Sequence, residues 1–204
     1  MKRIKLSLHF FFLISVANPE INLFLWGLCG TGKTVVSVET VKIKVSHCKE
    51  KKKSVRVIVT HFGGRKGLLL SNIKEYLKNM ENIGVQVQIL SLKQLCENLG
   101  CPWNMFQPKA TINAVIRSLS SDKSHQVTIF VCDELESCRE DGQTTSDWRD
   151  VVTVDNVEWI LSIRPTSDSR ETINLKPPVS PVVTRKLLHR HRNSSQIRYI
   201  LYKS

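Results

Sequence analysis

The six cysteines of this 204-residue chain include no Cys-x-x-Cys pair, and no histidine accompanies them at zinc-ligand spacing. Structural zinc sites in fingers and ribbons are built from such pairs, so the pattern argues against that class of metal protein. Cysteines without a pairing framework are typical of proteins kept in a reducing compartment. We therefore expect free thiols and no structural zinc.

Long apolar runs are also missing. Residues 6–16 are mostly apolar behind a basic start, but the stretch is too short to span a bilayer as a helix. Residues 15–17 resemble a signal-peptidase site, and Asn193-Ser194-Ser195 fits a glycosylation sequon. We expect an intracellular protein, cytoplasmic or nuclear, with residues 1–19 as a separate apolar segment and no stable membrane span. The alternative is the secretory pathway, if that segment is a signal peptide.

Acidic residues are scarce, since 18 Asp and Glu stand against 30 Lys and Arg, for a formal charge of +12. Such an excess favours polyanionic partners, nucleic acid first, through non-specific attraction. The densest basic stretch is 49–53, and both a solvated helix end and a nucleic-acid patch fit it. No internal repeat or heptad pattern is present, so a solenoid or coiled coil is excluded.

One motif dominates what is there. Residues 27–34 read Gly-Leu-Cys-Gly-Thr-Gly-Lys-Thr, a complete GxxxxGK[ST] phosphate-binding loop. Its glycines let successive backbone N–H groups turn inward onto phosphate oxygens. In such a loop Lys33 reaches the β- and γ-phosphates, and the Thr34 hydroxyl binds Mg²⁺. The alternative is an ordinary Gly-rich turn. The predicted nucleotide-binding residues are Gly27, Leu28, Cys29, Gly30, Thr31, Gly32, Lys33 and Thr34.

A phosphate loop needs a buried strand before it and a helix after it. Residues 21–26 are a nearly continuous apolar run and predict the strand. Residues 33–45 are rich in valine, so local propensity favours a strand there as well. We predict a helix over 33–45 because the loop requires one.

The rest of the chain alternates between strand and helix patterns. Alternation of this kind predicts an α/β fold with a parallel central sheet flanked by helices on both faces. We expect one domain over 20–204, with 166–181 as an exposed loop and 141–150 as a polar loop. The other predicted strands are 54–60, 85–90, 127–131, 157–163 and 182–188. The other predicted helices are 66–82, a short one capped by Ser91 and ending at Gly100, 111–119 and 194–202.

An acidic pair follows a predicted strand 100 positions after Lys33. Carboxyl ends of parallel strands share one edge, so Asp133, Glu134 and Arg164 should lie near the phosphate loop. At such a place Asp133 would hold Mg²⁺ and Glu134 would act as general base toward the attacking water. The alternative is an ordinary acidic turn.

Four segments in order resemble motifs of the superfamily-one helicases of the UvrD/Rep-like group. These are 27–34 as motif I, 59–62 with Arg65 as motif Ia, 131–134 as motif II and 187–197 as motif IV. The resemblance implies the first RecA-like domain of a P-loop NTPase, with ATP and Mg²⁺ as ligands. Single-stranded DNA or RNA would pass over 60–65, where we expect Phe62 to be available for stacking and His61 to be a polar loop residue. The implied catalytic residues are Lys33, Glu134 and Arg192, the last approaching the γ-phosphate.

The chain also departs from that family. No adenine-recognising Gln motif precedes Gly27, the motif III region 159–165 lacks its glutamine, and no second RecA-like domain is present. That domain closes over ATP and supplies another arginine. The resemblance therefore implies ATP·Mg binding with weak hydrolysis, and full ATPase activity would need a second RecA-like domain or a protein partner. The alternative is a regulatory nucleotide switch of the signalling type.

Overall fold

A six-stranded sheet forms the centre of the molecule. The computed structural model describes residues 19–27, 31–62, 77, 84–122, 124–136, 139–140, 143–144, 147–164, 176–178 and 182–187. The strands of this sheet are β1 (Asn22–Gly27), β2 (Val55–His61), β3 (Gln86–Ser91), β4 (Val127–Glu136), β7 (Val157–Arg164) and β8 (Val182–Leu187). All six run parallel, in the order β3-β2-β4-β7-β1-β8.

The strand order opens a crevice at one edge of the sheet. β1, which leads into the phosphate loop, and β4, which carries the acidic pair, are separated by β7. The chain leaves β1 and passes β7 and β4 before it enters β2. After β3, at the end of the sheet, it returns to β4, so the direction of winding reverses between β2 and β4. Ligands of parallel α/β sheets bind outside the carboxyl ends at such a reversal. The predicted sites on β1 and β4 therefore face one crevice.

The helix after the loop, α1 (Lys33–Glu50), covers one face of the sheet. The prediction of a helix here is confirmed, although the segment is rich in valine. Its buried valines pack against leucines of β1 and β-branched residues of β2 and β4, and this packing outweighs the weak helix propensity of valine. α1 contacts four strands of the sheet. Its first turn lies at the crevice because it directly follows the loop at the end of β1.

The opposite face is covered by α2 (Leu92–Leu99) and α3 (Pro108–Ser121). Ser91 caps α2 as predicted: its hydroxyl accepts from Gln94 N at 3.2 Å, and Gln94 Oε1 accepts from Ser91 N at 3.0 Å. Gly100 ends the helix in the left-handed conformation, with φ of 63°. Helices on both faces of a parallel sheet confirm the predicted α/β class.

A buried ion pair anchors the start of β1. Lys44 of α1 is 1% exposed, and its Nζ donates to Glu158 Oε2 at 2.7 Å. The same ammonium donates to the carbonyl oxygens of Pro19 at 2.5 Å and Ile21 at 2.9 Å. Burial lowers the pKa of Lys44, and the neighbouring Glu158 carboxylate partly offsets that effect. Lys44 thus connects the helix, β7 and the segment that enters β1.

Three local predictions need correction. β4 continues to Glu136, well past the predicted end at residue 131. His61 is not a loop residue, because it is the last residue of β2 and is buried beside Asp133 in the strand register. The polar loop over 141–150 contains the short β6 (Gln143–Thr144), paired with β5 (Arg139–Glu140), and a buried Trp148 whose ring lies 5.9 Å from that of Phe24.

Other predictions fall outside the described residues. These are the apolar segment 1–18, the helix 194–202, most of the loop 166–181 and, apart from a buried Leu77, the helix 66–82. Among the described helices, none is long and apolar enough to cross a membrane. The single-domain boundary at 20–204 stays a prediction.

Candidate nucleotide site

The first residue of the phosphate loop must be glycine for packing reasons. A Cβ on Gly27 would lie 2.6 Å from the backbone oxygen of Leu187 in β8 and 2.9 Å from Thr31 Oγ1. Both distances are shorter than any contact a side chain tolerates. The loop can therefore close against β8 and fold back on itself only with glycine at this position. At the other end, Gly32 has φ of 88°, which favours glycine and turns the chain into α1.

The side chain of Lys33 reaches back to the first residue of the loop. It is 7% exposed, and its Nζ donates to the backbone oxygen of Gly27 at 2.7 Å. A lysine ammonium buried at the N-terminus of a helix adds positive charge where the helix dipole is already positive. This is an arrangement that attracts an anion.

The phosphate loop and the acidic strand meet directly. Thr34 Oγ1 donates to Asp133 Oδ2 at 2.6 Å, across 99 positions of sequence. Asp133 is 2% exposed and lies where the pairing of β4 with β2 ends. The two residues predicted to hold Mg²⁺ are therefore in direct contact.

A third side chain orients Asp133. Ser162 of β7 is fully buried, and its hydroxyl donates to Asp133 Oδ1, which also accepts from the backbone N of Glu134 at 3.0 Å. Both carboxylate oxygens of Asp133 thus have defined partners. Ser162 was not among the predicted site residues, because the only signal in 159–165 was the missing glutamine. Only the placement of β7 between β1 and β4 brings this serine to the acidic strand.

A bulge shapes the acidic pair. The pairing of β4 with β7 shifts between Cys132 and Leu135, so that β4 contains one extra residue there. Glu134 takes the strain of the bulge, with φ of 55°, a left-handed conformation uncommon outside glycine. The bulge removes Glu134 from the regular ladder and leaves it half-buried at the crevice edge. Strained backbone of this kind clusters at functional sites.

The end of β2 completes the crevice wall. The backbone N of Phe62 donates to the backbone oxygen of Asp133 at 3.2 Å, and Thr60 Oγ1 donates to the backbone oxygen of Val131 at 3.0 Å. The Phe62 ring is not isolated at the rim, because it packs against Trp103 with ring centroids 5.4 Å apart. The predicted stacking residue therefore already has an aromatic neighbour.

The oxygens at the crevice fit a hard cation. A hydroxyl and a carboxylate are ligands that Mg²⁺ accepts, and this ion keeps several waters while it bridges to phosphate. The neighbouring Cys132 does not compete, since burial raises the pKa of its thiol to about 12 and keeps it neutral. In the described part of the chain no cluster of three or more His, Cys, Asp or Glu side chains forms a self-sufficient metal site. The donor set thus suits a cation that arrives with a phosphate ligand.

The structure brings five of the predicted site residues together: Gly27, Lys33, Thr34, Asp133 and Glu134. Thr31 and Gly32 complete the described part of the loop. Arg164 ends β7 on the same edge of the sheet. The other predicted residues lie outside the described residues: Leu28, Cys29, Gly30, Arg65 and Arg192.

Comparison with known protein families gives no match, and no curated protein matches the chain. Among solved structures, the chain is similar to the crystal structure of Pif1 from Bacteroides sp. in complex with ADP-AlF4, with 13% sequence identity and a TM-score of 0.37. The similarity covers 94% of this chain and 44% of that one, so the chain spans less than half the length of the Pif1 chain. The likeness is distant, and the fold class follows from the strand order of this sheet itself.

Proposed function

We propose that the chain binds ATP together with Mg²⁺ in the crevice between the phosphate loop and β4. The observation that carries this proposal is the hydrogen bond of 2.6 Å from Thr34 to Asp133. If residues 27–34 were an ordinary Gly-rich turn and residues 133–134 an ordinary acidic turn, nothing would require the two segments to be in contact. The contact supports the reading of both as halves of one nucleotide site.

Lys33 and the start of α1 would bind the phosphates. The Lys33 ammonium holds the backbone oxygen of Gly27, a neutral acceptor, and a phosphate oxygen is a stronger acceptor because it is charged. The N-terminus of α1 would direct backbone N–H groups of its first turn to the same phosphates. Thr34 and Asp133 would hold Mg²⁺, whose chemistry here is to neutralise charge on the phosphates.

Hydrolysis by this chain alone should be weak. We propose Glu134 as the general base, since the bulge places it at the crevice edge beside Asp133. Arg192 remains the proposed partner of the γ-phosphate. In P-loop sites that rely on an arginine supplied in trans, its absence lowers turnover by roughly 10³- to 10⁵-fold. A second RecA-like domain or a protein partner would supply that group.

Single-stranded DNA or RNA is the proposed macromolecular partner. The formal charge of +12 favours a polyanion, and Phe62 joins the rim to the acidic strand through its bond to Asp133. Movement of the rim on nucleic-acid binding would therefore reach Asp133 through one hydrogen bond. Such coupling is what a helicase-like motor domain requires.

Two measurements on the full chain test this function. By isothermal titration calorimetry we expect ATP to bind in the presence of Mg²⁺ and to bind more weakly when EDTA removes the metal. In single-turnover hydrolysis we expect a slow rate that single-stranded DNA or RNA raises. Absence of ATP binding would reject the nucleotide site. Binding with nucleotide-driven oligomers and no stimulation would instead select the regulatory switch.

Ser162 gives a sharper test of the metal half of the site. Ser162→Ala removes the donor that orients Asp133, and loss of such a partner typically costs 10- to 100-fold in metal affinity. We expect the Mg²⁺ concentration for half-maximal ATP binding, followed by anisotropy of a fluorescent ATP, to rise by roughly that factor. The matched control is Ser120→Ala, the same substitution on α3 at the other face of the sheet, where the Ser120 hydroxyl donates to the backbone oxygen of Arg117 at 2.8 Å. Equal midpoints for the Ser162 and Ser120 variants would remove Ser162 from the site.

A further inference from the structure

Two cysteines face each other across the end of α2. Gly100 terminates this helix in the left-handed conformation, and the backbone N of Cys101 then donates to the backbone oxygen of Cys96 at 3.0 Å. A helix that ends in this way brings the side chains of these two positions into contact, and an apolar pair commonly occupies them. Here both positions are cysteine. Their proximity is therefore a consequence of the helix ending itself.

The two thiols differ in access. Cys96 is fully buried among apolar residues, whereas Cys101 is half-buried at the surface of the same cluster. Burial raises the pKa of Cys96 to about 12, and the neighbouring Cys101 contributes to the rise. The backbone hydrogen bond of 3.0 Å keeps the two residues close, as a disulfide requires, since its Cα atoms lie about 4.4–6.8 Å apart. Cys101 is thus the thiol that reagents reach, and Cys96 lies behind it.

We propose that Cys96 and Cys101 form a thiol–disulfide modification site that reacts with small disulfides of the glutathione class. No residue of the nucleotide site takes part. The site lies on the helical layer opposite α1, so it is separate from the phosphate loop.

The reaction proceeds by two exchanges. The Cys101 thiolate attacks one sulfur of the small disulfide, forms a mixed disulfide and releases one small thiolate. Cys96, losing its proton to that thiolate, then attacks the Cys101 sulfur and releases the second small thiolate, which takes up from solvent the proton that Cys101 lost. The protein dithiol is oxidised by two electrons, and one small disulfide is reduced to two thiols. Excess small thiol reverses both steps.

The modification would act on the rim of the crevice. The connector 101–107 begins at Cys101 and carries Trp103, whose ring packs against Phe62. A Cys96–Cys101 bond would fasten the start of this connector to α2. The same connector presents Met105 and Phe106, which are the exposed large hydrophobic side chains in the described residues. Oxidation would therefore restrict a segment beside the proposed nucleic-acid path.

Peptide mapping of the wild-type chain tests the proposal. Trypsin releases residues 94–109 as one peptide, in which Cys96 and Cys101 are the only cysteines. The folded protein is incubated to completion with oxidised glutathione, and the remaining thiols are alkylated after denaturation. We expect this peptide to be two hydrogens lighter than its dithiol form and to carry no alkyl groups. Treatment with excess reduced glutathione should restore the dithiol. Cys48, a buried residue of α1, should be alkylated throughout and serves as the internal control.

Two results would overturn the proposal. One is a peptide 94–109 that carries alkyl groups on both cysteines or a lasting glutathione on Cys101. The other is a disulfide that joins Cys96 or Cys101 to Cys132. The variant Cys96→Ser provides a further check, since it should stop at the mixed disulfide on Cys101. Hydrogen exchange of 101–107 should be slower in the oxidised wild type than in the reduced form.

Discussion

Replacing Lys33 by alanine is expected to weaken ATP binding by roughly ten- to 150-fold, because a hydrogen bond to a charged group contributes about 1.5–3 kcal/mol. The ammonium is buried at the start of α1, where water cannot replace it once ATP is bound. Alanine removes the charge and leaves the helix intact. Calorimetric titration with ATP and Mg²⁺ gives the affinity directly.

Lys42→Ala is the matched control for this experiment. Lys42 lies on the same helix, and its Nζ contacts Glu39 at 3.2 Å, so its removal changes the net charge equally but leaves the loop alone. We expect its ATP affinity to equal that of the wild type. If Lys33→Ala and the wild type bind ATP equally well while both remain folded, the phosphate loop is not a nucleotide site.

The second large effect concerns stability. Lys44→Ala is expected to lower the free energy of unfolding by about 3–5 kcal/mol, since removing one partner of a buried ion pair leaves the other charge unpaired. Here the unpaired group is the Glu158 carboxylate, and the carbonyl oxygens of Pro19 and Ile21 lose their donor as well. Urea unfolding followed by circular dichroism measures the change.

Lys42→Ala serves as the control for this experiment as well. The Lys42–Glu39 pair is partly exposed, and pairs of this kind contribute about 0–1 kcal/mol. The double variant Lys44→Met with Glu158→Leu should recover part of the lost stability, because apolar replacement of a buried pair is often neutral. A cost for Lys44→Ala no larger than that for Lys42→Ala would show that the buried pair does not anchor β1.

The sequence predicted the features that depend on short-range geometry. α2 begins after Ser91 and ends at Gly100 as expected, because helix caps are made by residues within one turn of each other. The alternation of patterns predicted the parallel sheet and its two helical layers. Residues 33–45 were predicted as helix only through the phosphate loop, since their valines favour a strand.

Other features of the site depended on which strands became neighbours. The contact of Ser162 with Asp133 exists because β7 lies between β1 and β4. The left-handed Glu134 arises from a one-residue mismatch between β4 and β7, which neither strand reveals alone. His61 was predicted as a loop residue because Gly63 and Gly64 follow it, yet β2 pairs with β3 and β4 up to that position.

By itself, the sequence determined the Gly-rich loop motif, the acidic pair, the α/β class and the two caps of α2. Each of these is read from residues that are neighbours in the sequence, or from the alternation of short patterns along it. The tertiary structure alone decided that Thr34 meets Asp133, that Ser162 orients this carboxylate and that Lys44 is buried against Glu158. These contacts join segments about 30 to 115 residues apart, and only the packing of strands and helices into one sheet brings such distant positions together.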